Sequence, residues 1–299
     1  MKYDQFELLE PGEYGLFRSF FQSWSVESCE RSWANLLLYS NTYFWRRAVI
    51  ENRLWIASFE ENYLFFPLGA FPAPEELKMY YRSFQQQTSK EAVIGDVPEA
   101  YVQKFPQSVE LLEFEMDMGE ADYIYNLAHL QSFAGSKLRK RHNQVRQFER
   151  EYENLWHVEE ITFDMLDSII EFAAQQSSAY WSDSSGLEEK LAFDRLKCVW
   201  QLPETGLAGI ALFIQNALIG FSIYSPLNDK MVDIHFEKAD HAYRGCGAKL
   251  TAGLVDHLLQ KNYSFMNREQ DLNSEGLRRA KQALDPEYLY KRFTISAVK

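Results

Sequence analysis

Hydrophobic and polar positions along the chain follow helical and strand periods in turn, and their order predicts one series of elements that occurs twice. In the first half, residues 12–38 show helical spacing in two pieces. Short apolar runs over residues 44–71 are separated by Glu51-Asn52 and Glu60-Glu61-Asn62, which is typical of a three-stranded meander. The other predicted elements of this half are a helix, a strand, a short helix and a strand, at residues 74–87, 92–95, from 98 onward and 109–116.

The second half gives the same order of elements without clear similarity of residues. Two helices are predicted at Phe163–Ser177 and Leu187–Trp200, followed by a hairpin over residues 206–226 with its turn at Gln215-Asn216. The remaining elements are a strand, a helix, a strand, a helix and a closing strand, at Met231–Glu237, up to Lys261, Tyr263–Arg268, Ser274–Ala283 and Tyr288–Ile295. The pattern therefore predicts an α/β protein with two mixed sheets flanked by helices.

We expect an N-terminal domain over residues 1–120, a connector with a basic helix over 121–157, and a C-terminal domain over 158–299. No stretch is rich enough in Gly and Ser to act as a flexible linker. The two domains are therefore expected to pack against each other.

The strand Met231–Glu237 alternates apolar and ionisable side chains. Val232, Ile234 and Phe236 should share one face, with Asp233, His235 and Glu237 on the other. Ionisable groups on one face of a strand indicate either a solvent-facing edge or the floor of a polar cleft. The turn that follows the strand favours the cleft.

Arg244-Gly245-Cys246-Gly247 forms that turn, directly before a predicted helix. Its glycines allow a tight curl, and its N–H groups, with the positive end of the helix, could seat a phosphate beside Arg244. The same residues also fit a plain strand-to-helix connection. The turn resembles the acyl-CoA loop of the GNAT acyltransferase superfamily, in which Arg or Gln is followed by two residues, Gly, one residue, and Gly or Ala. Arg244 and Gly247 match that pattern, whereas Lys249 stands where the small residue is expected.

Composition narrows the protein class. The chain has 299 residues, 46% of them hydrophobic, so a large core is expected. No apolar run approaches the roughly 18–20 residues of a membrane span, and the acidic N-terminus lacks the apolar core of a signal peptide. Three scattered cysteines, Cys29, Cys198 and Cys246, indicate a reducing, cytoplasmic location without disulfides. No CxxC, HExxH or Cys/His cluster is present, so we expect no metal.

The net charge of −12 argues against a general nucleic-acid binder, but one segment is basic. Residues 137–150 contain six Lys or Arg residues against one Glu. They form either a solvated helix face or a local site for the phosphates of CoA, tRNA or a lipid head group. The candidate tRNA contacts are Lys137, Arg139, Lys140, Arg141 and Arg146.

A polar run, Asn267-Arg268-Glu269-Gln270-Asp271, follows the predicted strand that ends at Arg268. Ligands of open α/β sheets bind at the carboxyl ends of strands, and the strand Met231–Glu237 should be a neighbour. The alternative is that Arg268 and Glu269 pair with each other near the surface. Ser274 can cap the next helix, on which Glu275 and Arg279 are spaced to pair.

Several motifs together resemble a bacterial family of uncharacterised proteins that is similar to the C-terminal domain of phosphatidylglycerol lysyltransferase. The matching residues are Phe236-Glu237-Lys238-Ala239, Asn267-Arg268-Glu269-x-Asp271, Glu275-Gly276-Leu277-Arg278-x-Ala280-Lys281 and Tyr290-Lys291, with the run near Leu138. The resemblance implies two tandem GNAT-like domains. It also implies a fold shared with enzymes that transfer an amino acid from aminoacyl-tRNA.

We therefore expect an acyl- or aminoacyltransferase that uses acyl-CoA or aminoacyl-tRNA as donor and an amine or hydroxyl as acceptor. The candidate catalytic residues are His235, Glu237, Glu269 and Asp271; candidate cofactor-binding residues are Arg244, Gly245, Gly247 and Lys249; candidate substrate-binding residues are Asn267, Arg268, Glu275, Lys281 and Lys291. These residues do not single out one base. Two alternatives stay open: a non-catalytic GNAT-like module that binds a metabolite or a protein partner, and a nucleic-acid-binding protein that uses the basic segment.

Overall fold

Two seven-stranded mixed sheets flanked by helices form the protein, which confirms the predicted α/β class. The computed structural model describes residues 1–21, 27–181 and 184–299. Its strands are β1 (Glu7–Leu8), β2 (Arg46–Ile50), β3 (Arg53–Ser58), β4 (Tyr63–Phe65), β5 (Val93–Pro98), β6 (Leu112–Glu115), β7 (Asp122–Asn126), β8 (Trp156–Glu160), β9 (Ala208–Ile214), β10 (Ala217–Pro226), β11 (Met231–Ala239), β12 (Phe265–Asn267), β13 (Tyr288–Tyr290) and β14 (Arg292–Val298).

The helices follow the predicted periodicity closely from residue 74 onward. They are α1 (Tyr14–Phe21), α2 (Trp33–Leu38), α3 (Ser40–Tyr43), α4 (Pro74–Gln85), α5 (Glu99–Lys104), α6 (Leu127–Gln131), α7 (Arg139–Glu151), α8 (Leu166–Trp181), α9 (Ser184–Trp200), α10 (Cys246–Gln260) and α11 (Glu275–Gln282). The predicted helical stretch 12–38 is divided, and residues 22–26 lie outside the described residues. Ser32 starts α2, since its hydroxyl accepts a hydrogen bond from the Asn35 N–H.

Strands at equivalent positions of the two halves lie in the same order in both sheets, apart from the exchange of β7 and β14 described below. The first runs β1-β2-β3-β4-β5-β14-β6 and the second β8-β9-β10-β11-β12-β7-β13. Each contains one parallel pair, β4 with β5 and β11 with β12, while the neighbouring strands pair antiparallel. The repeated order of elements predicted from the sequence thus appears in the topology.

The two halves exchange a strand. The predicted closing strand Tyr288–Ile295 is in fact two strands, because β13 pairs with β7 in the second sheet and β14 pairs with β5 and β6 in the first. In turn β7, which lies within the predicted connector 121–157, joins the second sheet beside β12. The crossing occurs at Lys291, an exposed residue without a glycine or proline nearby, so no local signal marked it.

Packing also joins the halves. One hydrophobic cluster combines side chains of α1 and α2 with side chains of α9, β10 and β11. Beside it, Arg195 of α9 donates a hydrogen bond of 2.9 Å to the Leu37 carbonyl of α2. The two halves therefore share a continuous core, as the lack of a flexible linker predicted.

A buried ionic network lies where the chain crosses between the sheets. Arg292, the first residue of β14, donates to the Ser28 hydroxyl at 2.9 Å and lies 3.2 Å from the Asp122 carboxylate. Its other ionic neighbours are Glu30 at 3.5 Å and Asp96 at 3.8 Å. These carboxyls raise the pKa of Arg292 against the opposing effect of its burial, so the guanidinium stays charged within the network.

None of the helices in the described ranges is both long enough and apolar enough to cross a membrane. The three cysteines are free thiols, with Cys29 and Cys246 buried and Cys198 exposed.

Replacing Arg292 by Met should lower the free energy of unfolding by about 3–5 kcal/mol, because it strands buried carboxyls without their cation. Urea denaturation measures the change. Arg279→Met is the matched control: this arginine is 78% exposed and forms a surface pair with Glu275, so we expect a change below about 1 kcal/mol. Equal effects of the two substitutions would contradict a stabilising role for the network.

Candidate functional site

The candidate site begins where two parallel strands separate. β11 and β12 pair only over three residues, from Met231 with Phe265 to Asp233 with Asn267. Beyond Asn267 the chain turns away, and Glu269 adopts a left-handed backbone conformation with φ of 56°. A hydrogen bond of 2.7 Å from the Glu269 N–H to the Asn267 side-chain oxygen holds this turn. We call the gap between the two diverging strands the fork.

A β-bulge at His235 changes which side chains share a face of β11. Tyr224 of β10 pairs with Ile234 and Ile223 pairs with Phe236, so His235 is an extra residue without a partner on β10. The predicted alternation is therefore wrong beyond Ile234. Phe236 packs in the shared cluster with α9, whereas Ile234 belongs to the core under α10. Glu237 consequently lies on the opposite face from Asp233.

On the face toward the first half, Asp233, His235 and Glu269 come together. His235 Nδ1 lies 3.6 Å from Asp233 Oδ2 and 4.0 Å from Glu269 Oε1. Burial lowers the pKa of His235 to about 3, so the imidazole is neutral. Burial and the neighbouring Glu269 raise the pKa of Asp233 well above its usual range. Burial also raises the pKa of Glu269 to about 8, with Lys281 acting in the opposite direction.

On the other face of the fork, Arg268 and Glu237 form an ion pair of 2.5 Å that bridges the two strands. Arg141 of α7 lies nearby, and burial together with the charge of Arg268 lowers its pKa. In the part of the chain that the structure describes, one guanidinium nitrogen of Arg268 and one carboxylate oxygen of Glu237 are buried without a hydrogen-bond partner. The alternative interpretation, a surface pair of Arg268 with Glu269, is therefore not what forms among the described residues, since Arg268 pairs with Glu237.

A cavity of about 200 Å³ opens beside Glu269 and is walled by both halves of the chain. Its acidic residues are Glu30, Glu188 and Glu269, and Tyr43 donates a hydrogen bond of 2.6 Å to Glu188. Aromatic rings complete the wall. The remaining lining residues are Asn35, Leu36, Tyr39, Trp45, Phe65, Gln270 and Leu272. Carboxylates and aromatic faces together favour a cationic or amine-bearing group.

Other predicted site residues hold the loop after β12 in position. Asn267 donates 2.8 Å hydrogen bonds to the Glu27 carbonyl and to Asp122. Arg278 donates two hydrogen bonds of 2.8 Å to Asp271, and the pKa of Asp271 is lowered mainly by that contact. The Lys281 ammonium donates to the carbonyl oxygens of Arg268 and Gln270. Glu275 and Lys291 are exposed, and the predicted pair of Glu275 with Arg279 forms at 3.8 Å.

The glycine turn packs against α7 and lies apart from the cluster of Asp233, His235 and Glu269. Gly245 has φ of 86°, and an added Cβ would lie 2.6 Å from the Gln144 carbonyl oxygen. Lys249 is buried: its ammonium contacts Glu149 at 2.5 Å and lies 3.5 Å above the Trp156 ring. Arg244 is exposed, and a Cβ added at Gly247 would lie 3.8 Å from the Ala239 methyl, an ordinary contact. The departure of Lys249 from the GNAT pattern thus has a structural cause, a pairing with α7.

The basic segment divides into an outer and an inner side. Arg139, Lys140, Arg146 and Arg150 are exposed along α7, whereas Arg141 turns toward the fork. Lys137, just before the helix, pairs with Asp285 at 2.6 Å. Arg139, Arg146 and Arg150 recur at helical spacing on one side of α7 with Lys140 beside them, and we call these four exposed cations the α7 strip.

Sequence reasoning did not find the cavity wall. Glu30, Tyr39 and Tyr43 belong to the first half, and Glu188 lies on α9, so only tertiary packing brings them to the fork. The sequence predicts Asp233 on the polar face of the strand but does not mark it as a candidate site residue. Its complete burial had no sequence signal other than its position between Val232 and Ile234.

Residues 22–296 match the family described as phosphatidylglycerol lysyltransferase, C-terminal. An uncharacterised protein of Mycoplasmoides gallisepticum is 23% identical over 181 residues, which are 59% of this chain and 56% of the relative. The chain thus spans little more than half the length of that curated relative.

Two solved structures share the fold. A conserved protein of unknown function from Bacteroides thetaiotaomicron is 21% identical with a TM-score of 0.85, covering 97% of this chain and 98% of the other. L-PGS from Bacillus licheniformis is 14% identical with a TM-score of 0.58, covering 97% of this chain and 92% of the other. Both similarities extend over nearly the whole chain, so they concern both sheets.

The raised pKa of Glu269 predicts a pH dependence of stability. Its folded pKa of about 8 exceeds the unfolded value of about 4.3, so between these limits only the folded state keeps the proton. The free energy of unfolding should therefore fall as the pH rises from 6 to 9. We expect Glu269→Gln to reduce this fall by roughly 1–2 kcal/mol, less than the full linkage because the carboxyl is partly exposed.

Urea denaturation at pH 6 and pH 9 measures that difference. Glu159→Gln is the control, since Glu159 is an exposed residue of β8. The free energy of unfolding of this variant should change between pH 6 and pH 9 by as much as that of the parent. A Glu269→Gln protein with the parent's pH dependence would disprove the raised pKa.

Proposed function

Because the chain belongs to the phosphatidylglycerol lysyltransferase C-terminal family, we propose that it transfers an aminoacyl or acyl group to an amine or hydroxyl acceptor at the cavity beside the fork. The observation that carries the proposal is the acidic, aromatic-walled cavity at the end of β12. Its volume of about 200 Å³ fits a group the size of one amino acid rather than a larger ligand.

An aminoacyl group is favoured over a neutral acyl group. Glu30, Glu188 and Glu269 line the cavity. Tyr43 donates a hydrogen bond to Glu188 and Gln270 donates one to Glu30, whereas the Glu269 carboxylate accepts none from the described residues. A protonated amine placed there gains charge-assisted hydrogen bonds and faces the rings of Tyr39 and Trp45. The family description names lysyl transfer, and a lysyl group would bring two amines.

Aminoacyl-tRNA is favoured over acyl-CoA as the donor. The α7 strip offers four exposed cations, which suits a polyphosphate backbone. In contrast, Glu149 already neutralises Lys249, and α7 packs against Gly245. Arg244 is the exposed cation of the turn, and we assign it to the same phosphate-binding surface. This donor implies a cytoplasmic location, where charged tRNA is made.

Glu269 is the carboxyl best suited to act on the reacting groups. It faces the cavity, and a pKa of about 8 lets it exchange a proton near neutral pH. His235 and Asp233 lie behind it, and the Arg268–Glu237 pair holds the fork from the other face. Asp271, saturated by Arg278 and Tyr123, positions the loop rather than the substrate.

Transfer is tested with purified protein, tRNA charged with labelled amino acids, and a panel of amine and hydroxyl acceptors. We expect transfer from at least one charged tRNA, with Lys-tRNA as the first candidate. Glu269→Gln and Glu188→Gln should each lower kcat/KM by about 10- to 100-fold, because the first removes the proton-exchanging carboxyl and the second removes an acidic hydrogen-bond acceptor from the cavity wall. Glu159→Gln, an exposed glutamate of β8, should leave the rate unchanged.

Binding of charged tRNA without transfer to any acceptor would contradict the proposal and favour a non-catalytic binding module. Equal rates for the Glu269, Glu188 and Glu159 variants would contradict the cavity as the site.

The α7 strip is tested by tRNA binding across a range of salt concentrations. Removing Arg146 and Arg150 together as alanines should weaken binding and reduce the slope of log K against log salt by about 1–2. Lys90→Ala, which removes an exposed cation from the other half of the chain, should change neither quantity. A salt-independent interaction, or the same slope in both proteins, would exclude the strip as the contact surface.

A further inference from the structure

Three acceptor atoms at the fork are buried without a hydrogen-bond partner among the described residues. They are both carboxylate oxygens of Asp233 and the Nδ1 atom of His235. The Asp233 side chain is fully buried and that of His235 is 1% exposed, so solvent does not reach either of them freely. Because buried polar atoms are normally satisfied, this grouping of unpartnered acceptors points to a missing electropositive partner.

The imidazole is oriented so that Nδ1 faces the two carboxyls. Its Nε2 atom lies 2.8 Å from the Ser225 hydroxyl, and Ser225 lies 3.2 Å from the Ser32 hydroxyl. With Nε2–H donating to Ser225, Nδ1 presents its lone pair toward Asp233 and Glu269. A hydrogen bond that fixes the non-ligating nitrogen is the usual support of a metal-binding histidine.

The spacing of the three groups suits one ion. One ligand atom from each of Asp233, His235 and Glu269 lies within 4.8 Å of the others. Metal–ligand bonds of about 2.0–2.2 Å allow ligand atoms to lie up to about 4.4 Å apart. Glu269 has no hydrogen bond to its carboxylate in the described residues and is 28% exposed, so a small side-chain rotation closes the difference.

We propose that Asp233, His235 and Glu269 bind one divalent transition-metal ion at the inner end of the cavity. This inference goes beyond the proposed transfer and does not depend on it. One imidazole nitrogen and two carboxylates form a ligand set that suits Zn²⁺ or Mn²⁺. Asp233 and His235 lie on the same side of β11, and the bulge at His235 moves Glu237 to the opposite face, outside the set.

The surrounding charge favours a cation at this position. Asp122 and Glu30 act on both Asp233 and Glu269, and the nearby cations are already engaged. Arg292 contacts Asp122 and Glu30, and the Lys281 ammonium donates to two main-chain carbonyls. Neither cation is hydrogen-bonded to Asp233. Since Glu269 borders the cavity, the open coordination positions of the ion would face a bound carbonyl oxygen, which a metal polarises.

Isothermal titration of the chelator-treated, full-length protein with Mn²⁺ and with Zn²⁺ tests the proposal. We expect about one ion per chain for the parent protein. Asp233→Asn and His235→Gln should each weaken binding by at least about 100-fold, and Ser225→Ala by about 10- to 100-fold through the orientation of the imidazole. Glu188→Gln is the matched control: it removes an acidic residue of the same cavity outside the cluster and should bind within about threefold of the parent.

Circular dichroism without metal verifies that each variant folds, and Asp233→Asn should fold at least as stably as the parent because it removes an unpartnered buried carboxyl. Addition of Mn²⁺ should raise the Tm of the parent and of Glu188→Gln but not of Asp233→Asn. The proposal fails if the parent binds no ion stoichiometrically, or if Asp233→Asn binds as the parent does. It also fails if Glu188→Gln loses as much affinity as Asp233→Asn. No donor or acceptor is present, so the result is separate from the outcome of the transfer assay.

Discussion

Neutralisation of buried charge by Arg292 is the interaction on which the arrangement of the two sheets depends. The guanidinium opens the strand that crosses into the first sheet, and its partners include Asp122 at the start of the strand that crosses the other way. Asp96 and Glu30 complete the set. A slip of β14 by one residue would turn this charge to the opposite face of the sheet and leave the carboxyls unpaired. Charge pairing therefore fixes the register of the exchanged strand.

The same network explains why only one of two equivalent forks is open. In the first sheet, Asp96 follows the parallel pair β4–β5 with φ of 55°, much as Glu269 follows β11–β12 with φ of 56°. Asp96 is fully engaged, because Arg31 and Ser28 donate to its carboxylate and Arg31 also bonds the Phe66 carbonyl at 2.6 Å. Glu269 has no such partners and borders a cavity. The fork of the first sheet is thus closed by structural contacts of Asp96, whereas the fork of the second sheet is open to a cavity.

Periodicity along the chain was sufficient to predict most helices and strands, the two-sheet class and the neighbouring positions of β11 and β12, since these depend on local patterns. The bulge at His235 was not predictable, because a one-residue mismatch belongs to the pairing with β10 and not to β11 alone. The sequence predicts Asp271 as a catalytic residue because of its charge, but two hydrogen bonds from Arg278 engage both of its carboxylate oxygens. The cavity wall escaped prediction because Tyr39 and Glu188 are distant in sequence from Glu269.

The exchange of β7 and β14 has a consequence for how the chain acquires its structure. Arg292 pairs with Pro98 and Val298 with Leu112, partners that are nearly two hundred residues earlier. During synthesis the first sheet therefore cannot form completely until β14 has left the ribosome. Until then the facing edges of β5 and β6 stay unpaired. Such long sequence separation slows folding, and unpaired strand edges invite aggregation. Premature termination before residue 292 would leave the first sheet without the strand that joins β6 to β5, so the N-terminal portion would become a substrate for chaperones or proteases instead of an independent module.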